Sequence, residues 1–167
     1  VKSENIGQHP MHSEFISVEK SLIQELAATD RRIIAVGTTS VRTLESLYHA
    51  GCLISRGEWT GEVPQWYPYS ANHPHLSRAE ALVALASWLD TNGRQRFVAS
   101  TKIIIAPGYR FRIVGGMVTN FHQPQSTLLL LVSAFIGNST PDWREMYAHA
   151  LDNGYRFLSY GDAQLLL

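Results

Sequence analysis

The stretch RRIIAVGTTSVRTLESLYHAG, residues 31–51, constrains the fold more than any other part of the chain. Ile33, Ile34, Ala35 and Val36 lack the alternation of a half-exposed strand. They read as a strand buried on both faces, and hence as part of a parallel sheet. Gly37 and three hydroxyl residues, Thr38, Thr39 and Ser40, then turn the chain into a helix over about 41–49, with Gly51 at its end. Before the strand, a loop over residues 1–16 leads to a helix over about 18–28, capped by Ser17, with Val18, Leu22 and Leu26 on one face. Helix, strand, helix in that order predicts an α/β layer.

Downstream, residues 57–74 set Trp59, Trp66, Tyr67 and Tyr69 among prolines and glycines, the pattern of a long irregular loop. Ser77 caps a helix over about 78–89 whose Leu82, Leu85, Ala86 and Leu89 share a face. A strand-like run covers 98–105, and runs 110–114 and 117–121 flank Gly115-Gly116, which predicts a β-hairpin. Ser126 caps an apolar helix ending near Gly137, and Pro141 opens a last helix to about residue 151. The end, YRFLSYGDAQLLL, is strand-like around a turn. The expected fold is α/β, a layered mixed sheet with a hairpin toward the C terminus, flanked by helices.

Composition narrows the function. Lys and Arg number 14, as do Asp and Glu, so no whole-molecule field draws the chain to a polyanion, and a nucleic-acid partner needs a local basic patch. Arg110 and Arg112 alternate with Phe111 and Ile113, so both point to one side of a strand; with Lys102 they make the best such patch. One cysteine, Cys52, excludes an internal disulfide and favours a reducing, cytoplasmic setting. The leucine block near residue 128 is too short for a membrane span, so no membrane partner is expected. The start, VKSENIGQHP, has neither methionine nor the apolar core of a signal peptide, and reads as the interior of a longer protein.

Several groups can carry chemistry. A helix start after Gly37 leaves backbone N–H groups free, and Thr38, Thr39, Ser40 and Arg42 can join them around an anion; a simple helix cap explains the pattern about as well. Asn120 and His122 lie two apart at a strand end, where an amide orients and an imidazole exchanges protons. His12 with Glu14, and Tyr160 with Asp162, offer the same choice between a working site and a plain turn. His9, His12, His73 and His75 match no familiar metal spacing, so no metal is expected.

Taken together, MHSE at 11–14, VGTTSVRTLES at 36–46, IIAPGYRF at 104–111, VTNFH at 118–122, STLLLLVSAFIG at 126–137 and the C-terminal YRFLSYGDAQLLL resemble the S-adenosylmethionine:tRNA ribosyltransferase-isomerases of queuosine biosynthesis. The resemblance is to the C-terminal part of that family. It implies a fragment of a larger two-domain fold, without the N-terminal region and its β-barrel domain. It also implies transfer and isomerisation of the ribosyl of S-adenosylmethionine onto 7-aminomethyl-7-deazaguanine in tRNA, giving epoxyqueuosine-tRNA, adenine and methionine. S-adenosylmethionine acts as ribosyl donor, tRNA as partner, with no metal, and the protein as a monomer or weak homo-oligomer. An isolated fragment is expected to be inactive. The acid and base fall among His122, His12, Glu14 and Asp162; Gly37, Thr38, Thr39, Ser40, Arg42, Asn120 and Tyr160 would hold substrate, and Arg110, Arg112 and Lys102 the RNA. Two departures stand out: Gln123-Pro124-Gln125 replaces an apolar and a basic residue, and residues 57–100 replace a short link, with Trp59-Thr60 as its remnant. A non-catalytic paralogue that binds RNA or a nucleoside is the alternative.

Overall fold

The computed structural model describes residues 11–139 and 141–167. In chain order these form β1 (Glu14–Glu19), α1 (Lys20–Ala28), β2 (Ile33–Val36), α2 (Thr38–Ser55), β3 (Glu62–Val63), a short 3-10 turn (Tyr67–Tyr69), α3 (Arg78–Thr91) and β4 (Arg96–Thr101). Then come β5 (Val114–Asn120), α4 (Thr127–Ile136), α5 (Trp143–Asp152) and β6 (Ala163–Leu166). The strands make two mixed three-stranded sheets, ordered β1-β4-β3 and β2-β5-β6. In the first, β4 runs antiparallel to β1 and parallel to β3. In the second, β5 runs parallel to β2 and antiparallel to β6. The expected α/β architecture is therefore present.

Helix α2 ties the sheets together. It is fully buried along most of its length and packs on α3, β2, β3 and β5. It does not stop at Gly51 but runs to Ser55, because α3 crosses it there: a Cβ on Gly51 would meet the Ala81 carbonyl oxygen at 2.0 Å. A side chain at residue 51 would force the two helices apart. Helix α3 begins with a reciprocal cap between Ser77 and Glu80 and buries Leu82, Leu85, Ala86 and Leu89, as its pattern predicts. Ser126 likewise caps α4, which ends at Gly137, whereas α5 is capped by Asp142 rather than opened at Pro141.

Three local expectations differ. Glu14–Glu19 is a strand, not a loop and a helix start: Ile16 and Val18 point inward while Phe15 and Ser17 point out, the alternation of an edge strand. Ser17 therefore caps nothing; α1 starts after Glu19 and buries Ile23 and Leu26, leaving Leu22 exposed. Strand β2 is parallel to β5 but buried on one face alone, since Ile34 and Val36 are open to solvent. Finally, Gly115-Gly116 is no hairpin turn. Both glycines lie inside β5, where the Arg32 side chain and the backbone of Leu166 come too close for a Cβ. Arg110–Ile113, without a ladder partner, is an irregular approach to that strand.

Candidate functional site

The site is built along one face of α2. Arg42, Glu45, Ser46 and His49 sit at helical spacing i, i+3, i+4 and i+7, and all four are buried. A polar stripe at core spacing needs partners, because a buried polar group without a hydrogen bond is costly. The two ends of the stripe meet that need in opposite ways.

At the outer end, Arg42 is 6% exposed and its Nη1 donates to Glu14 Oε1. Glu14 reaches it from the start of β1, opposite Thr101, whose hydroxyl bonds Ser46 at 2.7 Å. Arg42 Nε and Nη2 and Glu14 Oε2 are buried with no partner among the described residues. Burial pulls the guanidinium below its ordinary value, and Glu14 pulls it back up. One turn earlier, α2 starts at Gly37, with φ at 87° and no side-chain cap. The Thr39 and Ser40 hydroxyls face solvent and Thr38 is half-buried, so the free N–H groups of this first turn remain open to a ligand.

This helix start lies at the C-terminal edge of β2 and β5. Gly37 N–H donates to the Val118 carbonyl at 2.8 Å, and Val36 stands opposite Val118. Asn120 closes β5 and His122 follows, but they do not share a face. Asn120 Nδ2 turns to the carbonyls of Gly161 (3.4 Å) and Asp162 (3.3 Å), while His122 Nε2 turns back to the Thr119 hydroxyl at 2.8 Å. The strand ends at Asn120, so its alternation does not extend to residue 122. Burial lowers the half-buried His122 imidazole, and its Nδ1 has no partner among the described residues. Asp162 is held by Arg156 at 3.1 Å, which keeps its carboxyl below the usual range. Tyr160 is 97% exposed and His12 is exposed as well. The structure thus joins Glu14 with Arg42, the Gly37 turn with the end of β5, and Asn120 with Asp162; Tyr160 stands away from them all.

At the inner end every donor and acceptor is used. Glu45 is fully buried and receives the N–H groups of Arg112 (2.9 Å), Ile113 (3.0 Å) and Val114 (2.9 Å). The Tyr109 hydroxyl adds a fourth bond at 2.7 Å. His49 Nε2 lies 2.8 Å from the Tyr109 hydroxyl, and His49 Nδ1 lies 2.8 Å from His73 Nε2. Burial raises the Glu45 carboxyl, against the pull of its four bonds, and drives both imidazoles down. Arg110 and Arg112 do not lie on a strand, yet both line the cavity onto which His73 opens. Lys102 is elsewhere, paired with Glu62 at 3.0 Å.

Glu45, His49, His73 and Tyr109 escaped the reading of the sequence as a site. The signal was present in VRTLESLYH: polar residues recur at the spacing that ordinarily carries a core face. Among the described residues no group of three or more His, Cys, Asp or Glu side chains could hold a metal, and no helix is long and apolar enough to cross a membrane. His9 lies outside the described residues.

The profile of the queuosine biosynthesis protein family matches residues 1–166. The S-adenosylmethionine:tRNA ribosyltransferase-isomerase of Burkholderia ambifaria is 42% identical over 169 residues, covering 99% of this chain and 37% of that protein. Its counterpart from Paraburkholderia xenovorans is also 42% identical, over 171 residues, with the same coverage. The chain thus spans little more than a third of the curated relatives it matches. Among solved structures, the S-adenosylmethionine tRNA ribosyltransferase of Thermotoga maritima superposes with a TM-score of 0.60 at 33% identity, over 92% of this chain and 40% of that one.

Proposed function

The chain belongs to the queuosine biosynthesis protein family, and from that premise we propose that it forms the C-terminal part of a tRNA ribosyltransferase-isomerase. The reaction is transfer of the ribosyl of S-adenosylmethionine to 7-aminomethyl-7-deazaguanine in tRNA, followed by rearrangement to epoxyqueuosine with loss of adenine and methionine. The observation that carries this reading is the outer end of α2. An uncapped helix start, exposed hydroxyls on Thr39 and Ser40, and a buried Arg42 with two unpaired nitrogens lie on consecutive turns at the C-terminal edge of a parallel strand pair. Crevices at such edges are where α/β folds bind ligands. A carboxylate is the group this donor set suits, and the methionine moiety of S-adenosylmethionine carries one.

His122 is the preferred base. It follows the strand that touches the Gly37 turn, its imidazole is held neutral by burial, and Nδ1 is free to accept a proton. Glu14 remains tied to substrate binding through Arg42, and its free oxygen completes the donor–acceptor set for an ammonium beside that carboxylate. His12 is left as the acid candidate, while Asp162, held as a carboxylate by Arg156, shapes the turn that Asn120 bonds.

A second reading, a relative that binds RNA or a nucleoside without turnover, draws on Asp162 being locked as a carboxylate by Arg156. Incubating the complete protein with preQ1-containing tRNA and S-adenosylmethionine separates the two. Adenine release that depends on both substrates supports the enzyme; tight tRNA binding with no adenine released supports the binding relative.

A further inference from the structure

The cavity beside His73 has the chemistry of an anion site that the reading above does not use. It encloses about 320 Å³ and is lined by Arg110, Arg112, His73, His75, Ser70 and Tyr69, among others. Among the described residues, no Asp or Glu lines it. Neither arginine has a carboxylate partner among the described residues, and the Arg112 guanidinium lies 5.3 Å over the Tyr48 ring, which fixes its position without neutralising it. Arg110 and Arg112 come from the irregular segment before β5, whereas Ser70, His73 and His75 come from the long loop after β3. Two separate parts of the chain converge on one cationic hollow.

Behind it stands the chain His73–His49–Tyr109–Glu45, with links of 2.8, 2.8 and 2.7 Å. Its outer end fixes the proton count. His73 Nδ1 lies 2.8 Å from the Pro74 carbonyl, which can only accept, so Nδ1 carries a proton. With His49 neutral, as its burial favours, two arrangements then satisfy every link. In one, Glu45 is protonated and donates to Tyr109, Tyr109 donates to His49 Nε2, and His49 Nδ1–H donates to His73 Nε2. In the other, each of those three protons has moved one link outward: Glu45 is a carboxylate, Tyr109 and His49 keep one proton each, and His73 holds two. The total is the same, so the two differ by a shift along hydrogen bonds and need no proton from solvent.

We propose that this cavity binds a phosphate group and that its occupancy draws the shared proton from buried Glu45 out to His73. The charged and titratable groups facing His73 decide the direction. They are His49 from α2, Arg112 from the segment before β5, Arg56 at the end of α2 and His75 in the same loop. The Tyr67 ring lies tilted against it at 4.8 Å, and the Tyr48 ring stacks on it at 5.9 Å. With no anion beside them, the Arg112 and Arg56 guanidinium groups repel an imidazolium, and the proton rests on Glu45. The negative charge of a phosphate group beside Arg110 and Arg112 opposes the field of the two arginines at His73 and favours the imidazolium form. The phosphate can belong to an RNA backbone or to a free phosphate ester; this deepens the RNA-facing role of Arg110 and Arg112 and rests on the tRNA reading for the ligand's identity alone.

Inorganic phosphate tests the site apart from tRNA. In the complete protein near neutral pH, phosphate is titrated while the His73 ring nitrogens are followed by ¹⁵N NMR and the protonated Glu45 carboxyl by infrared absorption. Binding should convert His73 from one ring proton to two and remove the Glu45 carboxylic-acid band together. Arg112→Gln should weaken phosphate binding ~10-fold or more, as loss of a charge-assisted contact does. Tyr109→Phe, which keeps the ring, should retain binding and lose the Glu45 response. A short oligoribonucleotide is titrated in parallel: binding of that probe with a salt slope reduced by about one in Arg112→Gln assigns the site to RNA, and binding of phosphate alone assigns it to a free ester. No binding of either probe, or binding that leaves His73 and Glu45 unchanged, overturns the proposal.

Discussion

The two ends of one polar stripe on α2 face the same burial and solve it differently. The inner end, Glu45 and His49, is completed by the protein itself: three backbone N–H groups, one phenol and a second imidazole leave nothing unpaired. The outer end, Arg42 with Glu14, leaves Arg42 Nε and Nη2 and Glu14 Oε2 without partners beside an uncapped helix start. A fold that can satisfy a buried carboxyl group four times over, one helical turn away, does not lack the means to satisfy an arginine. The difference is what supports the proposal that the outer end receives a ligand, with the inner end as its frame.

Breaking the inner end should therefore cost stability first. Glu45→Ala strands three backbone N–H groups, and should destabilise by ~3 kcal/mol or more at about 1–3 kcal/mol per unsatisfied donor, read from denaturant unfolding. Loss of less than ~1 kcal/mol would mean water or another group already serves those donors. At the outer end the largest effect should be kinetic. His122→Ala should lower turnover by ~10²-fold or more, the scale of a positioned base, with the unfolding midpoint little changed. Wild-type turnover in that variant removes His122 from the chemistry.

Stability should also follow pH in a way set by the inner end. Burial lowers His49 and His73 from an ordinary 6.5, so the unfolded chain binds their protons first, and stability is lost as pH falls below about 6.5. Burial raises Glu45 from 4.5, so the folded chain binds that proton more tightly, and the stability it contributes declines as pH rises above that ordinary value. The histidines thus set an acid limb below about 6.5, and Glu45 sets an opposing loss on the alkaline side of its ordinary value. Glu45→Gln should flatten the alkaline limb and leave the acid limb. The smallest effect is expected at Tyr160, 97% exposed: Tyr160→Ala should move stability by no more than about 0.5 kcal/mol.

The sequence showed the helices most clearly where capping chemistry was local. Ser77 with Glu80, and Ser126 before its leucines, announce α3 and α4 because the cap and the apolar face lie within a few residues. It failed where the deciding partner was distant. Gly115-Gly116 has the composition of a turn, and only the approach of Arg32, just before β2, and of Leu166 on β6 goes with its place in the first half of β5. Ser17 resembled a cap because β1 alternates for six residues next to the real start of α1. At the site, the Gly37 turn and the strand ending at Asn120 were each readable, but their meeting depended on the β2–β5 pairing and the direction of Asn120 on the Gly161–Asp162 turn some forty residues on. The inner stripe was hidden for the same reason: the partners of Glu45 and His49 lie 24 to 69 residues away in the chain.

The most direct test of the contrast is the Michaelis constant for S-adenosylmethionine in Arg42→Gln, measured on the complete protein by adenine release at saturating preQ1-tRNA. If the unpaired guanidinium nitrogens receive the methionine carboxylate, KM should rise ~10-fold or more, the loss of a charge-assisted contact, while kcat changes little. An unchanged KM would show that the orphaned end of α2 does not bind this substrate, and the account of the outer end would be wrong.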